Sequence, residues 1–215
     1  FDDHAVRVRV QGNTVSDMGR SAVAISGRGF GTTLDNRDHL VCDNTIHRCG
    51  RVDWHATGIG VGGGAGYVTI SHNHIHHMPY SCVQTGASKI REYKFVRANP
   101  DSPRARGYRL DEIGDTPLTV EAVKRFTAGH VVMEYNYCHD FMLRLDDGGA
   151  LYAHATHHTV MRGNLLARAG RPNAFGLYYD DEELDSVMEG NIVARCPSPG
   201  KGGGSALHLH DNARI

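Results

Sequence analysis

Hydrophobic and polar residues alternate in short bursts along this chain, and the bursts return about every 29 residues. One phrase is a short alternating strand, a polar bend carrying asparagine, and a further apolar pair. It occupies residues 6–15, 39–46, 67–75, 130–138, 159–166 and 186–193. The bend asparagines are Asn13, Asn44, Asn73, Asn136, Asn164 and Asn191, at spacings of 31, 29, 63, 28 and 27. The long gap equals two periods, or one period with an insertion. A second phrase follows each first one: a small residue, then an alternating apolar strand. It falls at residues 22–27, 58–62, 82–86, 150–154, 176–180 and 206–210.

Each unit therefore carries at least two short strands joined by bends. No unit buries its apolar face alone, but stacked copies do, each strand pairing in parallel with its counterpart above and below. The pattern predicts an all-β protein, a right-handed parallel β-helix, folded as one domain over residues 1–215. Propeller blades also repeat, but they run to about 40 residues or more. The bend asparagines are expected to stack into a ladder, since the amide can bond a neighbouring backbone and the residue tolerates the left-handed conformation. The one interruption, about residues 88–128, is polar and rich in Lys and Arg. Thr116 and Pro117 read as an N-cap and first helical position. Leu118, Ala122, Val123 and Phe126 share a face, and Gly129 ends the turn, so a loop with one short helix is expected. The chain opens on Phe1 and stops inside a periodic segment. It reads as part of a longer protein whose remaining sequence completes the solenoid.

Composition narrows the chemistry. Lys plus Arg is 23 and Asp plus Glu is 24, a balance that gives no reason to expect a nucleic-acid partner. No apolar run has the length of a membrane span, so no membrane insertion is expected. The 26 glycines suit a fold of many tight turns. Five cysteines, an odd number without a CxxC pair, read as separate buried thiols, with a Cys42–Cys49 bridge as the alternative. Of 15 histidines, the densest tract is His72, His74, His76 and His77. Asn73 places a bend within it, so these read as surface histidines rather than a metal site.

The second phrases align on their small first residues. The next position is Val23, Ile59, Val83, Leu151, Leu177 and Leu207, all aliphatic and therefore inward. The position after that, outward, is Ala24, Gly60, Gln84, Tyr152, Tyr178 and His208. Two further on, also outward, come Ser26, Gly62, Gly86, His154, Asp180 and His210. Both outward columns are small early and become Tyr, His and Asp in the last three repeats. Neighbouring bends add Asp146, Asp147, Asp181, Glu182, Glu183 and Asp211. Aromatic faces stack on sugar rings, while carboxylates and imidazoles bond hydroxyls. Tyr152, His154, Tyr178, Asp181, His208 and His210 are thus candidate substrate-binding residues for a polysaccharide or oligosaccharide, and Gly148 and Gly149 are expected to leave room for a sugar.

The runs Asp147-Gly-Gly-Ala-Leu-Tyr152, Arg162-Gly-Asn164-Leu-Leu and Gly176-Leu-Tyr-Tyr-Asp180-Asp181, preceded by Glu134-Tyr-Asn136-Tyr-Cys-His139-Asp140, carry a resemblance. Over residues 130–195 the chain resembles bacterial β-helix proteins related to glycoside hydrolase family 141. The resemblance implies a glycosidase working outside the cytoplasm, extracellular or periplasmic, with Asp147 and Asp180 as its catalytic aspartates. A departure is Glu182-Glu183-Leu184, where the family commonly has Gly and Ser. Two other functions suit the same face. A polysaccharide lyase would take His154 or His210 as base and Tyr178 as acid, neutralising the substrate carboxylate with insertion arginines or a Ca²⁺ held by Asp180, Asp181 and Asp211. A non-catalytic solenoid would bind glycan and leave it intact. Hydrolysis itself calls for no cofactor, although His154, Asp180 and His210 align well enough to hold a metal.

Overall fold

The computed structural model describes residues 2–127, 129–196 and 204–210. It is mostly β, with three parallel sheets and few helices, an arrangement compatible with a parallel β-helix. The chain visits the three sheets in rotation, and each sheet pairs a strand with its counterpart one repeat away. The first sheet has seven strands and contains the second phrases; the other two have six each. The first phrase thus holds two strands in two sheets, with the asparagine bend between them. His74–His76 pairs directly with Tyr137–Phe141. The long asparagine gap is therefore one repeat plus an insertion.

Three inward columns make the core. Val23, Ile59, Val83, Leu151 and Leu177 pair in the first sheet and are all buried. Val41, Ile70, Met133 and Met161 do so in the second, and Ile46, Ile75, Cys138 and Leu166 in the third. The aliphatic alternation seen in the sequence is the signature of these columns. The small-residue column is also explained: a Cβ on Gly58 would lie 2.6 Å from the Cys82 carbonyl oxygen and 2.8 Å from Ile75 Cγ2. All five cysteines are free thiols, four of them buried.

The asparagine ladder runs without a break. Each Nδ2 from Asn13 to Asn164 donates to the Oδ1 of the next asparagine, at 2.9–3.1 Å, and each backbone N–H does the same. Asn44, Asn73, Asn136 and Asn164 are buried. The left-handed conformation falls one residue earlier, on Gly12, Asp43, His72, Tyr135, Gly163 and Gly190, with φ between 52° and 71°. That residue reverses the chain, which frees the asparagine to aim its amide at the neighbouring repeat. Left-handed residues also mark the other two bends: Asp17, Arg48, His77, Asp140, Arg168 and Arg195 at one, Arg7, Asp38, Tyr67, His130, His158 and Asp185 at the other.

The insertion contains three α-helices, α1 (Ile90–Ala98), α2 (Leu110–Ile113) and α3 (Val120–Val123), and a 3₁₀ segment, Pro103–Gly107. The expected helix is real but starts later. Thr119, not Thr116, caps α3 by accepting from the Ala122 N–H. The longer α1 has no clear apolar stripe in the sequence, because only Tyr93 and Val96 of its residues are buried. Tyr93, Ile113, Val123 and Phe126 form a second small core with Phe30 and Tyr108 packed against it. Polar ties fasten this unit to the sheets: Glu182 accepts from the Ile90 N–H at 2.8 Å, Lys89 pairs with Asp181, and Lys124 pairs with Asp185. Among the described residues no helix is long and apolar enough to cross a membrane.

Candidate functional site

Strand pairing on the outer face of the first sheet follows the two expected columns. Tyr152 pairs with Tyr178 and Tyr178 with His208; Gly86 pairs with His154 and His154 with Asp180. His210 follows, its N–H donating to the Tyr179 carbonyl at 2.9 Å. The structure therefore gathers Tyr152, His154, Tyr178, Asp180, Asp181, His208 and His210 on one face.

Asp180 is the centre of the polar contacts. Its Oδ2 accepts from the Tyr152 hydroxyl at 2.6 Å, and its Oδ1 accepts from the Asp181 N–H at 2.8 Å. His210 Nδ1 lies 3.1 Å from Asp180 Oδ1 and 3.0 Å from Asp181 Oδ1. Lys89, brought in by the insertion, completes the shell around Asp181. Burial, then the hydrogen bond and charge of Asp180, push the Tyr152 phenol far above its ordinary value. Burial, then the Asp180 charge, does the same to Tyr178. Both phenols keep their protons at any physiological pH. Burial, then the Lys89 charge, lowers His154, and burial, then His210, lowers His208.

The tyrosine rings are not the open platform the sequence predicts. Tyr152 is 8% exposed and Tyr178 is 3% exposed. They stack on each other at 5.0 Å, and Phe175 and His208 each pack against Tyr178 at 4.8 Å between centroids. Phe175 lies parallel to His208 at 4.2 Å. Large neighbours in consecutive repeats meet ring to ring, since the spacing between strands is about 4.8 Å. His210 is the exposed side chain of the group, while His154, Asp180, Asp181 and His208 are half-buried. The space beside Gly148 is also filled: a Cβ there would meet Tyr80 Cε2 at 2.7 Å. The Tyr80 hydroxyl donates to the Asp147 carbonyl oxygen at 2.8 Å and so fixes the bend bearing that aspartate.

Asp147 and Asp180 sit on neighbouring strands but at opposite ends of them. Asp147 precedes Gly148–His154, a strand of seven residues, while Asp180 faces its last residue. Seven straight residues span about 23 Å. A corner at Gly149 shortens this, because its Cβ position lies 3.2 Å from Tyr178 Cβ. Asp147 is exposed, in the left-handed conformation at φ 60°. The charges of Asp147 and Asp180 both act on Tyr80, Tyr178 and His208. The two carboxylates thus border one aromatic cluster.

The other acids take structural posts. Glu182 accepts the first N–H of α1. Glu183 is fully buried and accepts from the Thr156 N–H, the Thr156 hydroxyl and the Ser186 hydroxyl. Asp146 pairs with Arg171 at 3.5 Å, and Asp211 lies outside the described residues. The Glu182-Glu183-Leu184 departure thus ties the insertion and a bend to the first sheet. Tyr80, Phe175 and Lys89 were not anticipated as parts of this site. Tyr80 and Phe175 fall just outside the repeated phrases, and Lys89 belongs to the insertion, which has no register.

Ligand atoms of His154, Asp180 and Asp181 lie within 4.8 Å of one another, so the group could hold a cation. His130, His157 and His158 form another such group, as do His76, His77 and His139. Burial lowers His74, and burial followed by the imidazoles of His74 and His139 pushes His76 down to about 4. In the tract beginning at His72, His72 and His77 are exposed, His74 and His76 are half-buried, and His76 and His77 converge on His139.

Fold and face together define a class: a protein of three parallel sheets with a cluster of carboxylate, imidazole and phenol side chains along one of them. Among solved structures the chain is similar to one described as "Glycoside hydrolase", with a TM-score of 0.61 and 14% sequence identity over 99% of this chain and 33% of the other. The chain thus spans about a third of that protein's length, and at this identity the likeness establishes the fold alone. No family model matches the sequence, and no curated protein matches it.

Proposed function

We propose that this chain is a segment of right-handed parallel β-helix that cleaves a polysaccharide or glycan as a glycoside hydrolase, with Asp147 and Asp180 as its carboxyl pair. The observation that carries the reading is the setting of Asp180. The Tyr152 hydroxyl and the Asp181 N–H both donate to it, and His210 stands beside it. Donors on both oxygens leave it an acceptor, as a base or nucleophile must be, and Asp147 then supplies the general acid. Tyr80 positions the Asp147 bend, and the exposed His210, with the half-buried His208 beside it, offers contacts to sugar hydroxyls. The similarity to a glycoside hydrolase supports the substrate class through the fold. Such substrates lie outside the cytoplasm, so we place the protein there, extracellular or periplasmic. The hydrolytic step needs no cofactor.

One observation favours a second reading. His154 is held neutral by burial and by Lys89, which suits a lyase base. Release of reducing ends from a glycan panel, read together with the absorbance of unsaturated sugar products, separates the two. For hydrolysis, Asp147→Asn and Asp180→Asn should each lower kcat by about a hundredfold or more, without an unsaturated product. Full activity in both variants removes the pair. Glycan binding without turnover in the parent makes the face a binding surface.

A further inference from the structure

The third sheet carries a histidine cluster that the proposed glycan face does not use. Strand pairing puts His47, His76 and His139 in one column. Their rings stack at 4.9 and 4.8 Å, within 9° and 3° of parallel. His74 is two residues before His76 on the same strand, and its Nε2 lies 2.8 Å from His139 Nε2. His77 follows in the left-handed conformation, φ 55°, which histidine enters more readily than most residues. That bend sets its ring edge-on to His76 and brings the two Nδ1 atoms to 2.7 Å.

Behind His139 stands a carboxylate. Asp140 Oδ2 is 2.7 Å from His139 Nδ1. Arg168 holds Asp140 through both oxygens, at 2.8 and 2.9 Å, and its Nη2 also approaches His139 Nδ1 at 2.6 Å. The Asp140 charge offsets that of Arg168. A ring N–H given to a carboxylate leaves the opposite nitrogen with a lone pair, the arrangement found behind metal-bound histidines; in His139 that nitrogen faces His74 Nε2 at 2.8 Å, a contact that a bound ion would replace. Ligand nitrogens of His76, His77 and His139 lie within 4.8 Å of one another. His77 also lines a cavity of about 300 Å³ with Arg48, Arg51, Trp54, Leu143 and Arg144, which gives an ion a way in.

We propose that His76, His77 and His139 bind a transition-metal dication of the zinc class, with the remaining coordination position open to the cavity beside His77. Imidazole donors suit zinc, copper, nickel and cobalt, whereas calcium and magnesium take oxygen. A tetrahedral ion at about 2.0–2.1 Å from its nitrogens holds them about 3.4 Å apart. The contact between His76 and His77 needs to widen only slightly, and the His77 side chain is half exposed, with its Nε2 3.9 Å from Asp140 Oδ2.

The test is titration of the untagged chain with Co²⁺, read by its visible absorption, followed by displacement with Zn²⁺. Saturation at one equivalent, with the intense band of a tetrahedral site, is expected. His77→Asn, which keeps a residue tolerant of the left-handed bend, should weaken binding about tenfold or more. His139→Gln should do the same, with circular dichroism confirming that each variant is folded. His158→Asn, in the separate cluster with His130 and His157, should leave binding unchanged. Absence of a saturable signal overturns the proposal. So does binding that survives both ligand changes, or that follows His158 instead.

Discussion

Replacing Asn73 with alanine removes a middle rung of the asparagine ladder while leaving the backbone able to fold. Five side-chain hydrogen bonds go with it. The Asn44 N–H and Nδ2 lose Oδ1, at 3.1 and 2.9 Å, while Val41 O, Ser71 O and Asn136 Oδ1 lose Nδ2, at 2.9, 3.0 and 3.0 Å. All of this happens at 1% exposure, where water cannot substitute. At about 0.5–1.5 kcal/mol net for each of the other four bonds, and about 1–3 kcal/mol for the orphaned Asn44 N–H, the loss centres on about 6 kcal/mol. Asn13→Ala is the control. Asn13 is exposed and bonds only Asn44 and Gln11 through its side chain, so water replaces it at a cost below about 1 kcal/mol. Urea unfolding of both variants at neutral pH, followed by circular dichroism, gives the comparison. The slope should match the parent, so that the midpoint alone reports stability. Equal midpoint shifts for the two variants would refute the idea that burial makes the ladder a main support.

Two further predictions rest on single groups. His157 is pushed down to about 4 by burial, against an ordinary value near 6.5. Between those values the unfolded chain holds a proton that the folded chain does not, so stability is lost as pH falls from about 6.5 towards 4. By pH 4.5 the loss is about 2–3 kcal/mol; His157→Gln should remove most of that difference between pH 7 and pH 4.5, measured by urea midpoints. Gly148→Ala puts a Cβ against the Tyr80 ring at 2.7 Å. It should cost about 1–3 kcal/mol and, by loosening the Tyr80 hold on Asp147, lower glycan turnover more than Thr14→Ala, an exposed position in the third sheet of the first repeat that serves as a remote control.

What could be read from the sequence was whatever each repeat states for itself. The six asparagines, the aliphatic column from Val23 to Leu207 and the outward columns at Tyr152 and His154 rest on alternation, which shows side-chain direction without any knowledge of neighbours. Other features depend on how repeats meet. The separate third sheet was hidden because the bend at each asparagine looks like a pause within one strand. Asparagine tolerates the left-handed conformation, but tolerance does not say which bend residue adopts it; only the backbone shows that Asp43 and His72 do. Alternation put Tyr152 and Tyr178 in one column, yet it cannot say that both would be buried, with Phe175 and His208 packed on Tyr178. Register likewise placed Asp147 and Asp180 on adjacent strands but could not show the strand length between them or the corner at Gly149. The helix Ile90–Ala98 buries only two side chains and left no stripe to find.

The ladder also has a direction. Each linked amide from Asn13 to Asn164 gives one N–H to the following asparagine, and from Asn44 on its oxygen faces the preceding one while the second N–H turns back to a carbonyl of the preceding repeat. These are dipoles in series within a poorly polarisable interior, and they add as the peptide units of an α-helix do. The row is therefore an internal electret, positive towards the late repeats and negative towards the early ones. Asp147, Asp180 and Asp181 belong to the late repeats, the end of the ladder towards which negative charge is favoured.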